Sequence, residues 1–269
     1  MDTTTPGNSP SLSQDAATDA AALAFRTGMA KIAESLAGAH FEIAPHGTLL
    51  AFNRAAVPAL NPILSPSREP DAGEIAVLAS KAAELSDGRP WSIRVRGEVV
   101  AAEIRETADK HHLTVASQQL LMTKGLTAEE SVANLSPSVR LLAGAEFAVF
   151  GEIIGAAFGV PAEIVSQVYD GDVLGVPDIQ AYVLEHDGTA VAAGVAVLAD
   201  RHVAIGNVAT LPDFRRRGHA SLLTRHMLQV AARSGCIAAY LHAGDAPSIG
   251  LFQSLGFVPR ETWTMLSAF

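Results

Sequence analysis

The stretch Asn207-Val208-Ala209-Thr210-Leu211-Pro212-Asp213-Phe214-Arg215-Arg216-Arg217-Gly218-His219-Ala220 decides how this chain is read. It reads as a strand that passes through a basic, glycine-containing turn into a helix. The N–H groups of a helix's first turn have no partner within the helix and carry partial positive charge, so such a turn cradles an anion, and a diphosphate can accept several of these bonds at once. Gly218 lets the chain approach phosphate oxygens with no β-carbon in the way, and the arginines add charge. Two common nucleotide loops are excluded by spacing. A Walker-type loop requires glycine, four residues and Gly-Lys-Ser/Thr, and a dinucleotide fingerprint requires three spaced glycines where only Gly218 stands.

Working outward, Ile179–Glu185 and Ala190–Leu198 flank the turn His186-Asp187-Gly188, a hairpin signal because aspartate before glycine suits positive φ. His202–Thr210 continues as a strand, His219–Ser234 as a helix stopped by Gly235, and Ile237–His242 as a further strand. A short helix is expected around Ser248–Leu255 and a last strand near Trp263–Leu266. The half opens with a strand at Val139–Leu142 and a helix at Phe147–Phe158, followed by an acidic stretch carrying Glu163, Asp170, Asp172 and Asp178. Before it, apolar spacing predicts helices at Thr18–Leu36, Ala72–Leu85 and Val99–His111, and strands at His40–Ala44, Thr48–Asn53, Trp91–Val95 and Leu113–Met122. The polar run between Thr123 and Ser138 reads as a boundary. The expectation is a disordered lead-in over 1–17, an N-terminal domain over 18–123, a linker over 124–137 and a second domain over 138–269. The class is mixed α/β.

Composition narrows the partners. The 269 residues allow two domains, and 49% apolar residues in short runs supply a core. No run approaches the roughly 18 apolar residues of a membrane span. The first 17 residues lack the basic and apolar regions of a secretory signal. Cys236 is the single cysteine, which excludes an intrachain disulfide and fits a reducing compartment, with cytoplasm expected. A formal charge of −9 repels a phosphate backbone, so no nucleic acid is expected. His111 and His112 are adjacent and point apart, so no metal is expected.

Arg215-x-x-Gly218-x-Ala220, with Pro212 three residues before the arginine, resembles the Gln/Arg-x-x-Gly-x-Gly/Ala signature of the GNAT superfamily of N-acetyltransferases. Ser248–Phe257, ending in Leu255-Gly256-Phe257, is similar to the family's second helix. The resemblance covers roughly Ser138–Phe269. It implies a mixed, mostly antiparallel sheet flanked by helices and acetyl-CoA as co-substrate. It also implies a donor site formed by the backbone of Val208, Ala209 and Thr210 beside the pantetheine arm and by the turn Arg215, Arg216, Arg217, Gly218, His219, Ala220 and Ser221 on the diphosphate. The order of elements before Thr123 loosely mirrors the second half, which suggests tandem lobes. The first lacks the Arg-x-x-Gly-x-Gly/Ala turn, and as a degenerate lobe it can cover the acceptor cleft, supply substrate contacts or mediate a homodimer.

Two family features are missing. Many members place a carboxylate on the central strand, near Gly206 and Asn207, and a tyrosine where Phe252 stands. The substitute candidates are His242, at a strand end and with a side chain that changes charge near neutral pH, and Asn207, placed to orient a water or an amine. The acidic stretch is expected over the acceptor site, where its carboxylates could hold a second positive charge. The resemblance thus implies acetyl transfer to a small-molecule amine, with a non-catalytic acyl-CoA-binding module as the alternative.

Overall fold

The computed structural model describes residues 14–269. Its elements are α1 (Gln14–Ser35), β1 (His40–Ile43), β2 (Leu49–Phe52), β3 (Pro62–Leu64), α2 (Ala72–Ser86), β4 (Ser92–Arg96), α3 (Ala102–Lys110), β5 (Val115–Gly125) and α4 (Ala128–Val132). They continue with β6 (Val139–Leu141), α5 (Phe147–Phe158), α6 (Ala162–Ser166), β7 (Ile179–His186), β8 (Thr189–Ala199), β9 (His202–Thr210), α7 (His219–Arg233), β10 (Ala238–Ala243), α8 (Ala246–Ser254) and β11 (Val258–Ser267). The helix α1 begins at Gln14, so Gln14–Ala17 are helical and not part of a disordered lead-in. Thr18, the expected start of this helix, sits inside it and donates to the Gln14 carbonyl at 2.9 Å. The rest of the lead-in lies outside the described residues.

All eleven strands join one sheet in the order β1-β2-β3-β4-β11-β5-β10-β9-β8-β7-β6. Only β3/β4 and β9/β10 pair in parallel, so the sheet is mixed and mostly antiparallel, as expected. The order is pseudo-symmetric about the central β11/β5 pair, with a parallel couple beyond it on each side. This centre interleaves the two halves of the sequence. β5, from the first half, lies between β10 and β11, and β11, from the second, lies between β4 and β5. The sheet therefore runs straight across the boundary expected at 124–137. The polar run itself holds α4, opened by a capping box at Thr127 and Glu130, and Arg233 of α7 donates to the Ser131 and Ala133 carbonyls at 2.9 and 2.6 Å.

Alternation along the strands sends side chains to two apolar layers. On one face α2 and α3 pack Ile75, Leu78 and Ile104 on Phe52, Ile63 and Ile93, while α7 packs Leu223 and Met227 on Ala192, Val203 and Leu241. On the other, α5 sets Phe150 and Ile153 on Val183 and Val195. There α1 lays Phe25 over Leu121, Tyr240 and Trp263. The small residues Ala21, Ala22, Ala24 and Gly28 give α1 a close approach to the sheet. Gly151 and Gly155 do the same for α5 against α6, where a β-carbon on Gly155 would meet the Val160 carbonyl oxygen at 2.7 Å. One strand, β3, escaped sequence reading because it is three residues long and starts at Pro62, a position where a strand tolerates proline. Among the described residues, no helix is long and apolar enough to cross a membrane.

Interleaving has a direct consequence. Residues 138–269 produced alone would lack β5, leaving the facing edges of β10 and β11 unpaired, and open edges invite aggregation. The segment is expected to be insoluble or to lack a cooperative thermal transition by circular dichroism. A soluble, cooperatively melting segment would show that the interleaving is dispensable.

Candidate active site

The site begins where two parallel strands part. β9 and β10 pair from His202/Ala238 to Ala204/Tyr240 and no further, although β9 continues to Thr210 and β10 to Ala243. On its other side β9 bulges, because the register with β8 shifts between Val195/Gly206 and Ala193/Ala209. Two residues, Asn207 and Val208, thus oppose the single Gly194, and Asn207 takes a left-handed backbone with φ 49°. A bulge bends a strand and releases backbone groups from the ladder.

The first cleft, of about 530 Å³, opens between this strand end, the α7 N-terminus and α8. Of the residues expected at the donor site, Val208, Ala209, Thr210, Arg215, Arg216, Gly218, His219, Ala220 and Ser221 line it, and Arg217 does not. Gly218 is the N-cap of α7 with φ 81°, and no side chain caps that end. The first-turn amides are consequently free for a ligand. A β-carbon at Gly218 would meet nothing within 4 Å, so the cradle is open. Two buried polar atoms beside it, Thr210 Oγ1 and His219 Nε2, have no hydrogen-bond partner.

The arginines divide three ways. Arg215 donates to the Thr210 carbonyl at 3.2 Å and to the Ala157 carbonyl at 2.9 Å, fastening the turn to β9 and α5. Arg217 lies over the Phe214 ring, 5.4 Å from its centroid. Arg216, with φ 62°, lines the cleft with an exposed side chain that pairs with none of the described residues. This arrangement fits the diphosphate of acetyl-CoA. Phe252, at the position of the family tyrosine, packs on Phe257 in the core, ring centroids 5.7 Å apart, while Ser248 and Leu251 of α8 face the cleft.

A second cavity, of about 230 Å³, lies between α1 and the sheet. It contains both expected catalytic candidates, Asn207 and His242, together with Arg94, Gln119, Tyr169 and Tyr240. Asn207 lines this cavity and Val208 the first, so the two spaces flank one bulge. Tyr169 stands beside the Asn207 side chain, and burial pushes its phenol up to about 12. His242 stands against Phe25 and Trp263, with ring centroids at 4.4 and 5.3 Å. Burial, reinforced by the Arg94 charge, holds its imidazole well below the ordinary value of 6.5. It is therefore neutral at pH 7, not poised near neutrality as expected, and its Nε2 has no partner.

The acidic stretch reaches this cavity through Tyr169, but its carboxylates do not line it. Asp170 accepts from the Val173 amide at 2.9 Å, Asp178 pairs with Lys31 at 2.5 Å, and Glu163 and Asp172 are exposed. Among the described residues, no carboxylate lines the cavity. Tyr169 was illegible within that stretch because nothing periodic marks it. Arg94 and Arg96 left a signal, being two arginines on one face of an alternating strand. Trp91 beside them packs in the α2/α3 core. Among the described residues, no three His, Cys, Asp or Glu side chains are grouped to hold a metal ion.

A splayed parallel couple, a bulged central strand and an uncapped helix behind a basic turn together form the first cleft. Residues 149–257 match the acetyltransferase (GNAT) family, so the second half of the chain carries a GNAT domain. Acetyl transfer from acetyl-CoA is that family's general chemistry. No curated protein sequence matches the chain. Among solved structures, a GCN5-related N-acetyltransferase from Kribbella flavida is 20% identical with TM-score 0.63, covering 93% of this chain and 95% of its own. A functionally unknown conserved protein from Staphylococcus epidermidis is 14% identical with TM-score 0.61 over 86% and 94%. A GNAT-family acetyltransferase structure from Novosphingobium aromaticivorans, described as putative, is 21% identical with TM-score 0.51 over 76% and 85%. At these identities the likeness is one of fold.

The His242 environment sets a pH dependence. The unfolded chain protonates this imidazole below about pH 6.5 while the folded chain resists, so stability is present above that pH and lost as pH falls. Each such group steepens the loss by up to about 1.4 kcal/mol per pH unit. His242→Gln is expected to flatten the fall in melting temperature between pH 7.5 and 5. Equal slopes for variant and wild type would refute the buried neutral histidine.

Proposed function

We propose that the protein transfers the acetyl group of acetyl-CoA directly to the amine of a small molecule. The observation that carries this reading is the pair of cavities meeting at the β9 bulge, one floored by an uncapped helix N-terminus and the other by polar side chains. Acetyl-CoA supplies an activated thioester. The amides of His219, Ala220 and Ser221, with Arg216, hold the diphosphate, and the free edge of β9 at Val208–Thr210 offers backbone groups to the pantetheine arm. Amides released by the bulge are placed to stabilise negative charge on a carbonyl oxygen.

On the acceptor side, Asn207 orients the amine and the neutral His242 accepts a hydrogen bond from it. Tyr169 stays protonated at neutral pH and takes the role of proton donor that Phe252 cannot fill. α1 excludes water from the acceptor. Much of the rate then comes from holding the two reactants in register, and a weak acid/base set suffices.

The test is a thermal-shift and calorimetric titration with acetyl-CoA, followed by thiol release against a panel of primary amines. Acetyl-CoA at roughly a hundred times its Kd stabilises a protein by about 2.7 kcal/mol. Wild type should show that shift, and Gly218→Asp should not, because aspartate tolerates the left-handed backbone yet puts a negative charge in the cradle. Tyr169→Phe should bind normally and lower kcat about tenfold or more. Binding with no thiol release from any amine would instead support a non-catalytic acyl-CoA-binding module.

A further inference from the structure

The inner cavity contains a cation with nothing to neutralise it. Arg94 and Arg96 lie on the same face of β4, two residues apart. Arg96 is balanced: its Nε and Nη2 bind Glu261 at 2.7 and 2.9 Å, and Nη2 also reaches Asp19 at 2.7 Å. Arg94 is only 7% exposed and pairs with no carboxylate among the described residues. Its neighbours are the neutral Gln119 amide oxygen, which accepts from Nη2, and the Phe25 ring, 5.2 Å from the guanidinium carbon. A buried charge without a counter-charge is costly, and such a group persists where a ligand completes it. Around the same cavity, Tyr240 Oη and His242 Nε2 are buried and unpartnered.

We propose that the acceptor is an amino acid or similar small amine bearing a carboxylate, bound through that carboxylate to the guanidinium of Arg94. The proposal rests on the acetyl-transfer reading for its chemistry and on the cavity alone for its anion. A guanidinium presents a planar fork that matches a carboxylate. The guanidinium rests on Phe25, donates one N–H to Gln119 and belongs to the lining of the cavity. A cation would find no carboxylate there and an arginine to repel it. In the reaction, the bound ammonium gives one proton to solvent, its nitrogen forms a bond to the acetyl carbon and the thioester C–S bond breaks. The second nitrogen proton ends on the coenzyme thiol, and the carboxylate on Arg94 is unchanged throughout.

The experiment uses the full chain and matched probes: the proteinogenic L-amino acids, β-alanine and 4-aminobutyrate, each beside its carboxamide and its decarboxylated amine. Thiol release with acetyl-CoA should favour at least one carboxylate over both of its neutral-ended partners by about a hundredfold in kcat/KM, since a site built to bond a polar group rejects analogues lacking it. Arg94→Met should erase that preference chiefly through KM while leaving acetyl-CoA affinity unchanged. It should also hold or raise the melting temperature of the free protein, whereas an arginine needed only for packing would lower it. Equal or better turnover of the carboxamides or decarboxylated amines would overturn the proposal. If no amine is consumed, the same carboxylates are titrated by calorimetry into the complex with free coenzyme A. Binding to wild type and not to Arg94→Met would then retain the anion site while the transfer reading fails, and binding to neither would overturn both.

Discussion

The pairing of β5 with β10 on one side and β11 on the other is the constraint on which the rest of the molecule depends. A strand from the first half completes the sheet of the second, and the last strand of the chain completes the sheet of the first. Because the backbone groups of four strands are satisfied only by this interleaving, the halves cannot be separated without exposing ladder edges. Pro259 and Glu261 mark a register shift in β11 beside β5, and Glu261 is the carboxylate that neutralises Arg96. The interleaved centre thus also sets which charges are paired.

From that centre the two cavities follow. The long sheet gives α1 a surface that spans both halves, and α1 crosses it with Phe25 on Tyr240, His242 and Trp263. Small residues bring the helix close, and the space left between them is the inner cavity. The donor cleft needs a different circumstance, the parting of β9 from β10 past Ala204, which leaves room beside the N-terminus of α7. The bulge at Asn207 joins the two, since adjacent residues line one space each. Both spaces are therefore walled by a single strand.

The electrostatics of the two spaces differ in kind. The donor cleft is open, and its positive character comes from helix amides and from Arg216 at the surface. In the inner cavity the same type of group, the Arg94 guanidinium, is buried, so it acts at short range with little screening. Burial, reinforced by that charge, keeps His242 neutral. In this way the first half of the chain, which has no diphosphate turn of its own, conditions the site through α1, β4 and β5.

Local sequence determined much of this protein. The turn from Thr210 to Ser221, the hairpin at Asp187-Gly188, most helices and the mixed α/β class follow from spacing, turn chemistry and helix-terminus physics, which act over a few residues. Most residues that line the first cleft were legible for the same reason, because they belong to one contiguous segment. Asn207 and His242 could be named as candidates, but their sharing one cavity, and the neutrality of His242, could not. Arg94, Gln119 and Tyr169 come from β4, β5 and the segment after α6, and they meet His242 only through the strand order of an eleven-stranded sheet. Strand order depends on pairings between distant segments, and burial sets the charge of a histidine or arginine. Neither is encoded by residue type or spacing, so the assembly of the inner cavity and the charge state of its groups were decided by tertiary structure.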